Sequence, residues 1–204
     1  HWDMRLHLGQ IMLAAPKFGN DDDYVDMIAN DVHHWTEEVV EQFSDTYGSG
    51  FHLDGSAVSA SYGLSLDTLA TPDGRKDGDG FADGSISPML GMDADGPTAV
   101  LKSCSKIDTL QTYNHLLNQK FLPQFLEGEN REIFYHYIKS WADFGIPHIQ
   151  FNVVGREMLL DAQKHPEKHS NLIVRVAGYS AYFVDLSKGL QDHIIERTEQ
   201  AFVG

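Results

Sequence analysis

The chain has 204 residues, 42% of them hydrophobic and 22% charged, so it can bury one sizeable core and is not a disordered sequence. Its formal net charge of −15 speaks against a nucleic-acid surface, and no apolar run approaches the length of a membrane span. Cys104 is the sole cysteine, which excludes an internal disulfide and fits a reducing, cytoplasmic compartment.

The sequence opens His1-Trp2-Asp3-Met4, neither a signal peptide nor a usual initiator, so it reads as a fragment or a processed product. Apolar residues at Val25, Ile28, Val32, Trp35, Val39 and Phe43 have helical spacing. The acidic run Asp21-Asp22-Asp23 before them fits a solvated helix start, where free amides and the macrodipole favour negative charge. Residues 44–98 are rich in Gly, Ser, Asp and Pro and read mostly as loop, with a strand near Ser56 to Leu66. So long an irregular stretch inside a domain is unusual unless it is functional. Ile133, Phe134, Tyr137, Ile138, Trp141 and Phe144 predict a second helix, stopped by Gly145 and Pro147. Ile149 to Val154 reads as a buried strand, Met158 to Lys164 as a short helix ended by Pro166, and Leu172 to Val176 as another strand. Ser187 is placed to cap a last helix with Leu190, Ile194, Ile195 and Phe202 inward.

Several polar clusters have bland readings. Asp73, Asp77, Asp79 and Asp83 invite a calcium site, but they lack the regular positions and final glutamate of an EF-hand loop. Tight turns explain the same Asp-Gly pairs. His33 and His34 are adjacent and point differently on a helix, while Pro166 interrupts the helical face that His165 and His169 would need to share a metal. No metal ligand set is assigned. Lys102 and Lys106 flank Cys104 and would lower a thiol pKa, but a small buried residue is the expected role.

The most informative stretch is Arg175-Val176-Ala177-Gly178-Tyr179-Ser180, an apolar strand that breaks at one glycine and is followed by aromatics. A lone glycine there is ordinarily a turn or bulge. The hexapeptide around it resembles the radical-bearing loop of the glycyl radical enzymes, the group that includes pyruvate formate-lyase. Other ordered segments are similar to the same family: Ala15 to Tyr24, Thr71 to Arg75, Ala82-Asp83-Gly84, Ser87-Pro88, Gly96 to Ala99, Leu117 to Phe121, His148 to Val154, and Gln191 to Thr198.

The resemblance implies an α/β fold, the C-terminal portion of a glycyl radical enzyme barrel, with residues 1–204 supplying late strands, the glycine loop and a closing helix. It makes Gly178 the residue that stores an unpaired electron. A radical on an alpha carbon is stabilised when that carbon is planar and conjugated with both flanking amides, and a side chain would crowd this arrangement. Arg175, Val176, Ala177, Tyr179 and Ser180 would form the loop recognised by an activating radical S-adenosylmethionine enzyme with an iron–sulfur cluster. The chain itself would bind no cofactor. The family also needs a loop with a cysteine that becomes a thiyl radical, and Cys104 does not match it. The implied partners are therefore the activating enzyme, a cysteine-bearing N-terminal part of the same enzyme, small accessory subunits and a small-molecule substrate, in an anaerobic cytoplasm, with no nucleic acid and no membrane. Residues 83–88 and 178–191 look most like the fumarate-adding branch, which includes benzylsuccinate and alkylsuccinate synthases. A diol dehydratase, an arylacetate decarboxylase or a non-catalytic spare-part protein are the alternatives. The buried site should be apolar, with Val174, Val176, Tyr182 and Phe183 shielding the loop, and Arg175 should be paired or hydrogen-bonded.

Overall fold

The computed structural model describes residues 2–55, 60–110, 115–197 and 199–200. Helix α1 (Trp2–Ala14) leads, and its last carbonyls are closed by Lys17, whose Nζ donates to the oxygens of Met12, Leu13 and Ala15. A cation at a helix C-terminus satisfies orphan carbonyls and suits the dipole. Helix α2 (Asp23–Val40) begins where the acidic run ends, with the Asp22 carboxylate accepting from the Tyr24 amide at 3.0 Å.

The face that α2 buries is the reverse of what its apolar rhythm implies. Ile28, Val32, Trp35 and Val39 are exposed, whereas Asp26 and Glu37 are buried. The acidic run is ion-paired as well as solvent-facing: Lys106 Nζ lies 2.9 Å from Asp21 and 2.7 Å from Asp23, which is largely exposed, and 2.9 Å from the buried Asp26 beyond the run. These ion pairs turn the polar stripe of α2 inward, toward a second helix whose place in the chain is remote from it.

The predicted strand near Ser56 to Leu66 is not found; residues 56–59 lie outside the described residues, and α3 (Ala60–Ser65) occupies most of the rest. The remainder of 44–98 is loop as expected, up to α4 (Pro97–Ser105), which starts with a proline at its first turn after Gly96 at φ +85°. Strand β1 (Leu117–Phe121) follows, then α5 (Asn130–Asp143), β2 (Ile149–Val153) and α6 (Arg156–Lys164), which ends ahead of Pro166. Strands β3 (Ile173–Arg175) and β4 (Ser180–Tyr182) make a hairpin, and α7 (Lys188–Glu196) and the short β5 (Glu199–Gln200) close the described chain. Ser187 caps α7 as expected, its hydroxyl accepting from the Leu190 amide at 3.4 Å, and Ile194 and Ile195 face inward; Phe202 lies outside the described residues.

The larger sheet is parallel, in the order β2-β1-β5, with Leu117 opposite Ile149 and Lys120 opposite Glu199. Parallel neighbours need crossover connections, and α5 provides the one between β1 and β2. Two apolar cores result. Val100, Leu101, Cys104, Leu117, Phe121 and Tyr137 fill the first, between α4, β1 and α5. Leu159, Val174, Val176, Phe183, Ile194 and Ile195 fill the second, which binds the hairpin to α6 and α7.

Candidate functional site: the Gly178 hairpin

The hexapeptide singled out in the sequence forms the end of the β3–β4 hairpin. Val174 pairs with Ala181 and Arg175 with Ser180, and the Val176 amide donates to the Tyr179 carbonyl at 2.9 Å, leaving Ala177 and Gly178 as the central residues of the turn. Gly178 has φ +76°, the value that the second central position of such a turn demands and that a residue with a side chain rarely adopts. A Cβ added at Gly178 would meet no atom of the described residues within 4 Å, its two chain neighbours aside. The local reason for glycine is therefore the backbone angle and not crowding.

Burial changes sharply along the turn. Val174 and Val176 are buried in the second core and Ala177 is buried beside them, while Gly178, Tyr179 and Ser180 are exposed. This corrects the expectation of a glycine enclosed by its own neighbours: Val174, Val176 and Phe183 are buried, but Tyr182 is nearly half exposed and Gly178 itself is exposed. The hairpin packs through one face and the root of the turn, so its tip projects beyond the core.

Polar groups hold the root in place. Asn152 on β2 brackets the backbone of Arg175, accepting from its amide and donating to its carbonyl, both at 2.7 Å. This side-chain amide does the work of a neighbouring strand, which satisfies backbone groups that would otherwise be buried without partners. The Arg175 side chain is hydrogen-bonded, as expected, but to neutral oxygens: its Nε donates to Gln150 Oε1 at 3.0 Å and a terminal nitrogen to Ser180 Oγ at 3.1 Å. The same carbonyl and the next are reached by Arg197, just past α7. Its guanidinium donates to Arg175 O at 3.0 Å and to Val176 O at 2.6 Å. Arg197 Nε lies 2.8 Å from Asp83 Oδ2, an ion pair in which the N–H is not aimed at the oxygen. Both side chains of this pair are buried.

Ionisable groups crowd behind the hairpin. Burial, together with the charges of Arg156 and Arg197, lowers the Lys120 pKa to about 8, against the opposing pull of Glu199. Burial likewise holds His193 below the usual imidazole range, and its Nε2 lies 3.1 Å from the Phe81 carbonyl. His148 is lowered by partial burial and then by Arg175. A cavity of about 20 Å³ lies among Asp83, Ser87, Asn118, Lys120, Arg197 and Gln200, room for a water molecule and not for a substrate.

The other candidates have structural partners. Asp73 receives the Thr71 hydroxyl, Asp79 the Lys76 amide, and Asp83 faces Arg197. His169 lies 2.6 Å from Asp161, and His165 4.0 Å from the same carboxylate. Cys104 is buried as expected, with its sulfur 3.2 Å from the Ile86 carbonyl, and burial beside Asp26 pushes its thiol well above the usual range. The flanking lysines do not activate it; Lys102 and Lys106 are engaged with the aspartates of the acidic run.

Comparison with known proteins agrees with this geometry. Residues 82–184, which contain the whole hairpin turn, match the glycine radical family, and residues 2–64 match the pyruvate formate lyase-like family. The chain belongs to the glycyl radical enzyme family. It is 42% identical over 205 residues to a probable dehydratase, YbiW, of Escherichia coli, an alignment covering 93% of this chain and 24% of that protein. It is 41% identical over 193 residues to the indoleacetate decarboxylase of Tractidigestivibacter scatoligenes, covering 92% and 22%. A solved structure described for 1,2-propanediol dehydration in Roseburia inulinivorans superposes with a TM-score of 0.88 at 44% identity, over 96% of this chain and 25% of the other. The chain thus spans about a quarter of the length of these relatives, and the fold is the α/β barrel portion of a glycyl radical enzyme.

Asn152, Arg197 and Asp83 were not found from the sequence as parts of this site. Each lies inside a segment that resembled the family, yet nothing local marks them. Their roles exist only because the fold brings three distant segments to the root of one turn.

Proposed function

We propose that Gly178 holds the radical of a glycyl radical lyase, and that residues 1–204 form its radical-bearing domain. The observation that carries this is the position of Gly178: at the turn of the hairpin built by Arg175 to Ser180, at φ +76°, open to approach within this chain while the residues before it are buried. Activation removes one hydrogen atom from the Gly178 alpha carbon, and the acceptor is a radical S-adenosylmethionine enzyme acting as partner. Arg175, Val176, Ala177, Tyr179 and Ser180 are the residues such a partner would grip. Because Val176 and Ala177 are buried, gripping them requires the hairpin to lift from the second core, a local opening and not global unfolding.

In the catalytic cycle the Gly178 radical takes hydrogen from a cysteine thiol carried outside these residues; the glycine C–H bond forms as the S–H bond breaks. The resulting thiyl radical takes hydrogen from the substrate. Cys104 does not fill that role, being buried in the first core with its sulfur against Ile86. The rest of the enzyme covers the exposed turn and excludes water and oxygen.

Elimination of water from a small hydroxylated substrate ranks first because relatives and solved structures named for dehydration recur among those similar to the chain, and decarboxylation of an arylacetate ranks second on two decarboxylases of 41% and 37% identity. The fumarate-adding reading rests on residues 83–88 and 178–191 alone and has less support. Electron paramagnetic resonance of the intact, anaerobically activated protein tests the proposal. The expected result is a glycyl doublet in the wild type and none in Gly178→Ala; an unchanged doublet in the alanine variant would overturn the assignment.

A further inference from the structure

We infer that Arg197 is the latch of the Gly178 hairpin, with Asp83 as its anchor. The inference rests on the reading of Gly178 as the radical residue, and it adds what sets the ease with which that residue is exposed. Arg197 donates to two consecutive carbonyls, Arg175 O and Val176 O, at the place where the chain enters the turn. Charge-assisted hydrogen bonds of this kind are stronger than neutral ones, and here they act in a buried setting. The guanidinium is held from behind by Asp83, which belongs to the glycine-rich and aspartate-rich loop. The backbone of Asp83 is in turn fixed, because its carbonyl accepts from the Asn118 side chain on β1.

The arrangement therefore joins the hairpin to the parallel sheet through a chain of contacts: β1 to Asp83, Asp83 to Arg197, Arg197 to the root of the turn. On the far side of the turn, Gly178, Tyr179 and Ser180 are exposed, and the hydrogen bonds described for them run within the hairpin, from the Val176 amide to the Tyr179 carbonyl and from Arg175 to Ser180. Lifting the root of the turn breaks the Arg197 bonds to two carbonyls, the Asn152 bracket and the bond from Arg175 Nε to Gln150 on β2; of these only the Arg197 bonds bring a buried charge to the carbonyls beside Ala177. Asn152 sits on β2 and orders the strand register, whereas Arg197 comes from the segment after α7 and contacts the turn itself. Arg197 is thus a positioning residue: it touches no reacting atom and acts through the carbonyl next to Ala177-Gly178. It also gives a task to the buried Asp83 within the long, irregular stretch 66–96.

The test uses the intact protein and its activating enzyme, with Arg197→Ala and the charge-balanced pair Asp83→Asn/Arg197→Gln. In never-activated protein, hydrogen exchange at the Val176 and Ala177 amides should speed up about tenfold or more, while amides of β1 keep wild-type rates. With the activating enzyme present, the initial rate of spin formation should rise and the lifetime of the spin should fall, changes that a merely structural loss would not produce together. Unchanged exchange at Val176 and Ala177 in a folded variant would overturn the latch. So would simultaneous speeding of hairpin and β1 amides in both variants, since Arg197 would then hold the whole core. If Arg197→Ala shows the expected exchange contrast with wild type but activated wild-type protein carries no spin on Gly178, the radical reading fails and the latch stands.

Discussion

Removing Lys106 should be far more damaging than removing Lys102, although both lysines pair with the same acidic run. Asp26 is completely buried, and its Oδ2 accepts from Ser103 Oγ and Lys106 Nζ, both at 2.9 Å. Lys106→Met leaves that carboxylate buried with a single hydroxyl donor, and breaking a buried pair from one side costs about 3–5 kcal/mol. Lys102 is half exposed and meets Asp21 at 2.7 Å, so Lys102→Met should cost less than about 1 kcal/mol, as exposed pairs do. Adding Asp26→Leu to Lys106→Met removes the stranded charge and should recover most of the loss. The assay is hydrogen exchange on the intact protein, read as the opening free energy of amides in α2 and α4, the helices joined by this network. If the two lysine variants lose equal stability, or if Asp26→Leu deepens the loss, the buried ion pair does not set the orientation of α2.

Two further outcomes are expected. The unfolded chain keeps the Lys120 proton up to about pH 10.5 and the folded chain releases it near pH 8, so the unfolded state binds more protons between those values. Stability from this group should rise by about 3 kcal/mol as pH goes from 8 to 10.5, and Lys120→Met should flatten that rise in urea midpoints; an equal rise in the variant would show that Lys120 titrates normally. Cys104→Ser should leave both the radical yield and the turnover of folded enzyme unchanged; abolished turnover with full spin would make Cys104 the thiyl residue after all.

Most helices and β2 were legible because their signals are local: apolar spacing, Ser187 as a cap, Gly145 and Pro166 as stops. Strand β1 was legible only through family resemblance, since Asn118, Gln119 and Lys120 look like a surface segment, yet the last two are buried. A parallel strand covered on both faces needs partners for such groups, and they come from Tyr137, Ile195 and Glu199, elsewhere in the chain. Helix α2 was recognised as a helix, but which face it buries was decided by Lys106 and Ser103 of a distant segment. The same holds at the site. Gly178 announces itself through its hexapeptide, whereas Asn152, Arg197 and Asp83 acquire their roles only when the fold closes.

The central claim is the location of the radical, and oxygen reports it directly. A glycyl radical reacts with dioxygen and the backbone breaks at that residue. Mass spectrometry should therefore compare activated protein exposed to air with never-activated protein treated the same way. The expected result, in the activated sample alone, is a C-terminal peptide whose first intact residue is Tyr179, its nitrogen carrying the oxidised two-carbon remnant of Gly178. Equal cleavage in both samples, or no cleavage at this position after a radical has been quantified, would contradict the placement of the radical on Gly178.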